Sequence, residues 1–285
     1  MPDRNWRELE SVLTASPRKA FQARLRRQFE RGAALTNTEA ATAIQTVTPY
    51  LRVTDVEGLL AFAAETFGAR ETHRTPTSIG GVHCIVQLAD SMLMFTGGAA
   101  AEGQELRAVL HVHVSDVDAA YRRALDAGAE SVSPPENRPY GERNGGVKDP
   151  TGNLWYIATR LAGPAPPQHM RAVTPYIVTE GALELVDFLR SAFGAQEMAM
   201  FKKPDGALMH GAVTIGDSVI ELGDAPGVPP AAFYLFVDDA DALYERALRA
   251  GATSLSVPAN QSYGHRSGGV KDPRGNIWFI ASHLK

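Results

Sequence analysis

Hydrophobic and polar residues alternate along residues 47–53 (VTPYLRV), which is the pattern of a strand with one buried face. Apolar residues then recur at helical spacing over residues 55–67, and Gly68 marks the end of this predicted helix. Two short strands, 83–88 and 91–95, follow around a turn. The stretch therefore predicts a βαβββ unit.

The same succession begins again at residue 109. Residues 109–114 have the pattern of a strand, residues 116–127 that of a helix, and residues 155–159 that of a closing strand. A turn signal, DPTGN at residues 149–153, precedes the closing strand. Mixed sheets with helices on one face fit this order of elements, so the predicted fold class is α+β.

The two units together are duplicated along the chain. The segment VTPY at 47–50 recurs at 173–176, and the block YGERNGGVKDPTGNLWYI from Tyr140 recurs as YGHRSGGVKDPRGNIWFI from Tyr263. Of the 18 positions in this block, 13 are identical. Because the repeat is longer than any solenoid repeat, we interpret it as a duplicated domain with four βαβββ modules in all.

The remaining segments complete the predicted organisation. It consists of a helical N-terminal arm (1–45), a first domain (46–161), a Pro-rich linker (162–171) and a second domain (172–285). In the arm, Phe21, Leu25 and Phe29 form an apolar stripe flanked by arginines. Two interpretations stay open: an arm that covers apolar surface of its own protein, and a basic helix that docks on a partner.

Composition narrows the classes of function. The 285 residues carry a formal charge of −4, which argues against a general nucleic-acid or anionic-membrane binder. No apolar run is long enough for a transmembrane helix, and the N-terminus lacks the apolar stretch of a secretory signal. Cys84 is the single cysteine, so an internal disulfide is excluded. We expect a cytoplasmic protein without a nucleic-acid or membrane partner.

The duplicated motifs VTPY, FGA and YGxRxGGVKDPxGNxW resemble the vicinal oxygen chelate superfamily of glyoxalase I, bleomycin-resistance proteins and dioxygenases. The resemblance covers about residues 46–160 and 172–284 and is closest to the glyoxalase/bleomycin-resistance-like branch. It implies glyoxalase-like domains whose modules pair into curved sheets that form clefts. It also implies a monomer with an internal pseudo-dimer, or a homodimer.

The resemblance further implies where a metal would be held. The corresponding positions are Thr48, Met94, Val109 and Tyr156 in the first copy and Thr174, Glu221, Ala232 and Phe279 in the second. Of these, only Glu221 is a usual metal ligand, whereas a catalytic metal needs about three protein ligands. We therefore expect no cofactor. If a divalent metal binds at all, His111, His113 and Glu221 are the candidate ligands.

Strand parity predicts which side chains face the clefts, because alternate residues of a strand share a face. The predicted ligand-binding residues are Tyr50, Arg52, His111, His113, Tyr156, Tyr176, Glu221, Tyr234, Phe236 and Phe279. Trp155 and Trp278 have the opposite parity and should pack beneath the helices. The repeated arginines of the YGxR loops, Arg143 and Arg266, have two interpretations: contact with an anionic ligand at the cleft mouth, and pairing with turn aspartates such as Asp149 or Asp272, which we favour.

These residues favour two functions of different classes. The first is binding of a small aromatic or amphipathic molecule in a largely metal-free cleft, for sequestration or resistance. The alternative is a divalent-metal-dependent lyase, isomerase or dioxygenase. His83 and His210, at equivalent positions of the two copies, fit a structural role as well as that of a catalytic base. The sequence leaves open whether the protein is an enzyme.

Overall fold

A computed structural model describes residues 44–77, 80–138, 141–161 and 170–284. Nearly all of the predicted arm and most of the predicted linker lie outside these residues. The strands are β1 (Val47–Val53), β2 (Arg70–Pro76), β3 (Val82–Leu88), β4 (Ser91–Gly97), β5 (Val109–His113), β6 (Glu130–Arg138), β7 (Glu142–Lys148), β8 (Leu154–Arg160), β9 (Val173–Val178), β10 (Gln196–Lys202), β11 (Leu208–Ile215), β12 (Ser218–Gly223), β13 (Ala232–Phe236), β14 (Thr253–Asn260), β15 (His265–Lys271) and β16 (Ile277–His283). The helices are α1 (Val56–Phe67), α2 (Val117–Asp126), α3 (Ala182–Phe193) and α4 (Ala240–Arg249), with a 3₁₀ turn at Ala99–Ala101.

The predicted βαβββ order is confirmed in each quarter of the described chain. Module 1 comprises β1, α1 and β2–β4, and modules 2, 3 and 4 follow with their own helix and four strands. The sixteen described strands form two mixed sheets of eight, in the orders β14-β15-β16-β13-β1-β4-β3-β2 and β10-β11-β12-β9-β5-β8-β7-β6. None of the described helices is long and apolar enough to cross a membrane.

Each sheet is shared between the two copies of the duplicated domain. Strand β1 of module 1 pairs antiparallel with β13 of module 4, so that Thr48 lies opposite Tyr234. Likewise β5 of module 2 pairs with β9 of module 3, with His111 opposite Thr174. One face of each sheet is therefore built from both copies, and any site on that face is shared between them.

The opposite faces of the sheets carry the two main hydrophobic cores. In β1, Leu51 and Val53 are buried beneath α1, whereas Tyr50 and Arg52 point to the other face and stay partly exposed. The helices of each copy, α1 with α2 and α3 with α4, pack against one another over these cores. Trp155 and Trp278 are fully buried in them. The predicted location of both tryptophans is confirmed.

The start of the first strand of each copy donates hydrogen bonds to a turn of the other copy. The hydroxyl of Ser218 accepts a hydrogen bond from the backbone N–H of Val47 at 2.9 Å. The hydroxyl of Ser91 accepts the equivalent bond from Val173, also at 2.9 Å. The aspartates before these serines accept the N–H of the preceding residue of each strand. The recurring Asp-Ser turns therefore join the copies.

The pairing predicted for the YGxR arginines is wrong. Arg143 donates two hydrogen bonds of 2.7 Å to Asp118, in the first turn of α2, and Arg266 pairs in the same way with Asp241 of α4. Asp149 is turned inward and 2% exposed. A carboxylate is costly to bury unless its oxygens accept hydrogen bonds, and both oxygens of Asp149 do so.

The partners of Asp149 explain the DPxGNxW motif. Its carboxylate accepts hydrogen bonds from the indole of Trp155 at 2.7 Å, the amide of Asn153 at 2.9 Å and the backbone N–H of Thr151 at 2.8 Å. Asp272 does the same for Trp278 and Asn276 in the second copy. The motif therefore ties the last turn of each copy to its core tryptophan.

We expect the substitution Asp149→Ala to destabilise the protein by about 3 kcal/mol, because it leaves several buried donors without an acceptor. Urea unfolding monitored by tryptophan fluorescence measures this change. The matched control is Asp126→Ala, which removes an exposed carboxylate at the end of α2. A loss for Asp149→Ala no larger than that of the control would contradict this account of the motif.

Two candidate functional clefts

The sheet faces opposite the main cores carry two clusters of side chains with different chemistry, which we name the aromatic cleft and the polar cleft. The aromatic cleft lies on the sheet of modules 1 and 4, and its rings are Tyr50, Tyr234, Phe236 and Phe279. The polar cleft lies on the sheet of modules 2 and 3 and contains His111, His113, Glu142 and Glu221. The sequence-predicted site residues thus divide between two clefts, with Tyr156 and Tyr176 in the polar one.

The aromatic cleft is a continuous surface of rings from both copies. The ring of Tyr50 lies 4.9 Å from that of Phe279, and Phe279 lies 6.3 Å from Tyr234 at an interplanar angle of 30°. Tyr234 in turn lies 4.8 Å from Phe236. Aromatic pairs at these separations contribute about 0.5–1.5 kcal/mol each beyond the area that they bury.

Histidines extend this surface, and two of them, His83 and His265, add no charge near neutral pH. His265 lies 5.3 Å from Phe236 and 4.8 Å from His283. Burial lowers the pKa of His265, and the neighbouring His283 lowers it further. Burial also lowers the pKa of His83, whose ring stacks on Tyr50 at 6.0 Å. The cleft therefore offers neutral imidazoles as hydrogen-bonding groups.

Arg52 brings a positive charge to this sheet face. It lies two residues after Tyr50 on β1 and is held through backbone hydrogen bonds with Leu106. Within the described ranges its guanidinium has no ion-pair partner. Among the described residues, no carboxylate therefore balances the charge of Arg52, whereas Arg143 and Arg266 form ion pairs with aspartates.

The polar cleft is built around two histidines of β5. Leu110 and Val112 of this strand are fully buried in the core, so His111 and His113 project from the opposite face. Their side chains are 15% and 16% exposed. Glu142 reaches them from the start of β7, in the same copy.

Glu221 reaches the polar cleft from the second copy. Its strand, β12, lies beside β9, and β9 pairs with β5. The Nδ1 atom of His111 lies 3.2 Å from Glu221 Oε2, and its Nε2 atom lies 3.7 Å from Glu142 Oε2. His113 Nε2 lies 3.0 Å from Glu142 Oε1. The pairing of β5 with β9 therefore brings Glu221 of the second copy to the histidines of the first.

The two carboxylates give this cleft a strong preference for positive charge. Burial disfavours the imidazolium of His111, but Glu221 and Glu142 outweigh burial and raise its pKa to about 9. Burial likewise opposes the ionised form of Glu142, but the hydrogen bond from His113 and the charge of His111 lower its pKa to about 2. Burial also opposes the ionised form of Glu221, but the charge of His111 and its hydrogen bond lower the pKa of Glu221, so both glutamates are ionised at neutral pH.

The clefts differ at equivalent positions of the duplicated chain. His111 corresponds to Tyr234, and both pair with the last strand of their module in the same register. The other equivalent pairs are His113 and Phe236, Glu142 and His265, Glu221 and Met94, and Arg160 and His283. At each of these positions the aromatic cleft has an aromatic ring, an imidazole or an apolar side chain where the polar cleft has a more polar or charged group.

Sequence reasoning missed four of these residues: Glu142, Arg160, His265 and His283. For Glu142 and His265 a signal was present, because they occupy one of the five positions at which the 18-residue blocks differ. A duplicated chain conserves what both copies need for folding, and a difference inside an otherwise conserved block points to diverged sites.

A family model described as "Glyoxalase/Bleomycin resistance protein/Dioxygenase superfamily" matches residues 42–157 and 173–280, most of the chain. The chain belongs to this superfamily. An uncharacterised protein of Mycobacterium bovis is 33% identical over 128 residues, which is 40% of this chain and 84% of the relative. Another, from Mycobacterium tuberculosis, has the same identity over 75% of its length.

Solved structures agree with this assignment at the level of the fold. Glyoxalase I from Zea mays aligns with a TM-score of 0.66 at 14% identity, covering 83% of this chain and 92% of that chain. At this identity the likeness concerns the architecture alone. The chemistry of this chain depends on the side chains in each cleft and not on the fold.

The metal positions implied by the superfamily do not fit a metal here. In the aromatic cleft they are Thr48, Met94, Ala232 and Phe279, and in the polar cleft Val109, Tyr156, Thr174 and Glu221. Val109 and Thr174 are buried, and Phe279 packs against aromatic rings. A single carboxylate among four positions falls short of the roughly three ligands that a catalytic metal needs.

We expect the substitution His283→Gln to raise the pKa of His265 toward 6.5 without reaching it, because burial still disfavours the imidazolium. NMR titration of the His265 ring protons measures this value. The control Arg249→Gln removes an exposed positive charge from the end of α4 and should leave the pKa of His265 unchanged.

The same depressed pKa has a consequence for stability. In the unfolded chain the pKa of His265 is 6.5, so between its lower pKa in the folded protein and pH 6.5 the unfolded chain binds more protons. The contribution of the neutral His265 ring to the free energy of unfolding is therefore complete above pH 6.5 and is lost as the pH falls toward the folded pKa. Titration of His265 at or above 6.5 in the parent protein would contradict the environment described for this ring.

Proposed function

We propose that the protein binds a small aromatic molecule with an acidic group in its aromatic cleft. The observation that carries this proposal is the continuous surface of Tyr50, Tyr234, Phe236 and Phe279, contributed by both copies. A flat ligand gains stacking energy and buried apolar area on such a surface. Sequestration of this ligand, as in a resistance protein, is the biological role that needs no further chemistry.

The charge of Arg52 supports an anionic ligand. Its guanidinium lies on the same strand face as Tyr50 and has no ion-pair partner in the described part of the chain. A carboxylate on the ligand would pair with it in the bidentate geometry that guanidinium groups favour. The neutral histidines His83 and His265 add hydrogen-bonding groups without competing charge.

The family positions of the aromatic cleft support a metal-free site there. Thr48, Met94, Ala232 and Phe279 supply no set of metal ligands, so a metal-dependent lyase, isomerase or dioxygenase is not favoured at this cleft. Pairing of β1 with β13 and of β5 with β9 within one chain supports a monomer with an internal pseudo-dimer. We propose that this monomer works in the cytoplasm.

Isothermal titration calorimetry with 2-naphthoate tests the proposal, in buffer that contains a metal chelator. We expect binding that is about tenfold weaker in a Phe279→Ala variant, which loses roughly 1.4 kcal/mol of stacking. We also expect 2-naphthoate to bind more tightly than the cationic 2-naphthylmethylamine, and this preference should disappear in an Arg52→Gln variant.

The control variant is Leu125→Ala, which removes an apolar side chain that is 37% exposed on α2, away from the cleft. It should bind 2-naphthoate as the parent protein does. Absence of binding to any planar aromatic acid of a panel would overturn the proposal. So would binding that Phe279→Ala and Arg52→Gln leave unchanged.

A further inference from the structure

The polar cleft contains a donor set that the aromatic ligand proposed above does not use. His111, His113 and Glu142 each offer one ligand atom, and these atoms all lie within 4.8 Å of one another. We propose that these three residues bind a divalent transition-metal ion, with Zn²⁺ as the ion that fits them best. The site is new in position, because none of the three occupies a metal position that the superfamily implies.

The geometry of the donors supports a metal. Four ligands around tetrahedral Zn²⁺, with bonds of about 2.0–2.1 Å, lie about 3.3 Å from one another. His111 Nε2 lies 3.7 Å from Glu142 Oε2, and His113 Nε2 lies 3.0 Å from Glu142 Oε1. Small rotations of these side chains would bring the three donors to bonding distance of one ion.

Two of the donor atoms lack a hydrogen-bond partner in the described structure. His111 Nε2 and Glu142 Oε2 are both buried from solvent, and neither makes a hydrogen bond. The two atoms lie 3.7 Å apart, too far for a hydrogen bond between them, and a metal ion placed between them would bond to both.

Glu221 acts as a positioning residue for His111. Its carboxylate lies 3.2 Å and 3.4 Å from Nδ1, which leaves Nε2 directed toward Glu142. A metal-binding histidine almost always donates its other ring N–H to a carboxylate, carbonyl or water, which fixes the tautomer and the ring orientation. Glu221 itself is 8% exposed and reaches this place from the second copy.

Charge and ligand type favour a transition metal over other cations. The set contains two imidazoles and one carboxylate, which is a borderline donor set that suits Zn²⁺ and not Ca²⁺ or Mg²⁺. One divalent ion balances the charges of Glu142 and Glu221. Because three protein ligands leave a fourth position of a tetrahedral ion free, water or a ligand oxygen could bind there.

Titration of chelator-treated, untagged protein with Zn²⁺ in the calorimeter tests the proposal. We expect one Zn²⁺ per chain with a dissociation constant at or below about 1 μM. A Glu142→Gln variant, which keeps the shape of the side chain, and a His111→Ala/His113→Ala variant should bind at least about 100-fold more weakly. In a Glu221→Gln variant, the affinity should fall about 10–100-fold.

The control is His73→Ala, which removes an exposed histidine of β2 and should bind Zn²⁺ as the parent protein does. Near-UV circular dichroism establishes that each variant is folded. With Co²⁺ in place of Zn²⁺, intense visible d–d bands of a tetrahedral site should appear in the parent protein and be absent from the Glu142→Gln variant.

Three results would overturn the metal site. They are no binding of Zn²⁺ by the parent protein, binding that folded Glu142→Gln retains in full, and binding that His73→Ala abolishes. Failure here is distinguishable from failure of the proposed function, because 2-naphthoate binding is measured with chelator present and depends on Phe279 in the other cleft.

Discussion

The antiparallel pairing of first strands between the two copies is the constraint on which the rest of the structure depends. Because β1 pairs with β13 and β5 with β9, each sheet contains one module from each copy. The backbone groups of these central strands would otherwise be unpaired edges, which are costly and prone to wrong association. The Asp-Ser turns add hydrogen bonds from one copy to the strand start of the other.

Shared sheets have a chemical consequence, since both clefts combine side chains that are far apart in sequence. His111 and Glu221 are separated by 110 residues and still lie in hydrogen-bond contact. Because the chain contains two clefts, the side chains of one cleft can differ from those of the other. One has become a surface of aromatic rings and neutral imidazoles, and the other a cluster of ionised carboxylates and histidines.

The charged side chains of the polar cleft lie mostly outside the positions that the superfamily implies for a metal. At the positions that the superfamily implies for a metal, the cleft has Val109, Thr174, Tyr156 and Glu221. It has His111 and His113 two and four residues after Val109 on β5, and Glu142 at the start of β7. Gly146 permits this arrangement, because a Cβ there would lie 2.9 Å from the ring of Tyr156, which lies beside His111.

The sequence by itself determined the duplicated βαβββ order and the face of each strand, because periodicity and strand parity depend on local geometry. It also placed Trp155 and Trp278 in the cores and Tyr50 and His111 on the cleft faces. Only the tertiary structure decided which modules share a sheet, since pairing between distant strands leaves no periodic signal. That pairing brings Glu221 to His111. Because β7 pairs with β8 and β8 pairs with β5, Glu142 of β7 comes within hydrogen-bond distance of His113. Neither contact follows from spacing along the chain.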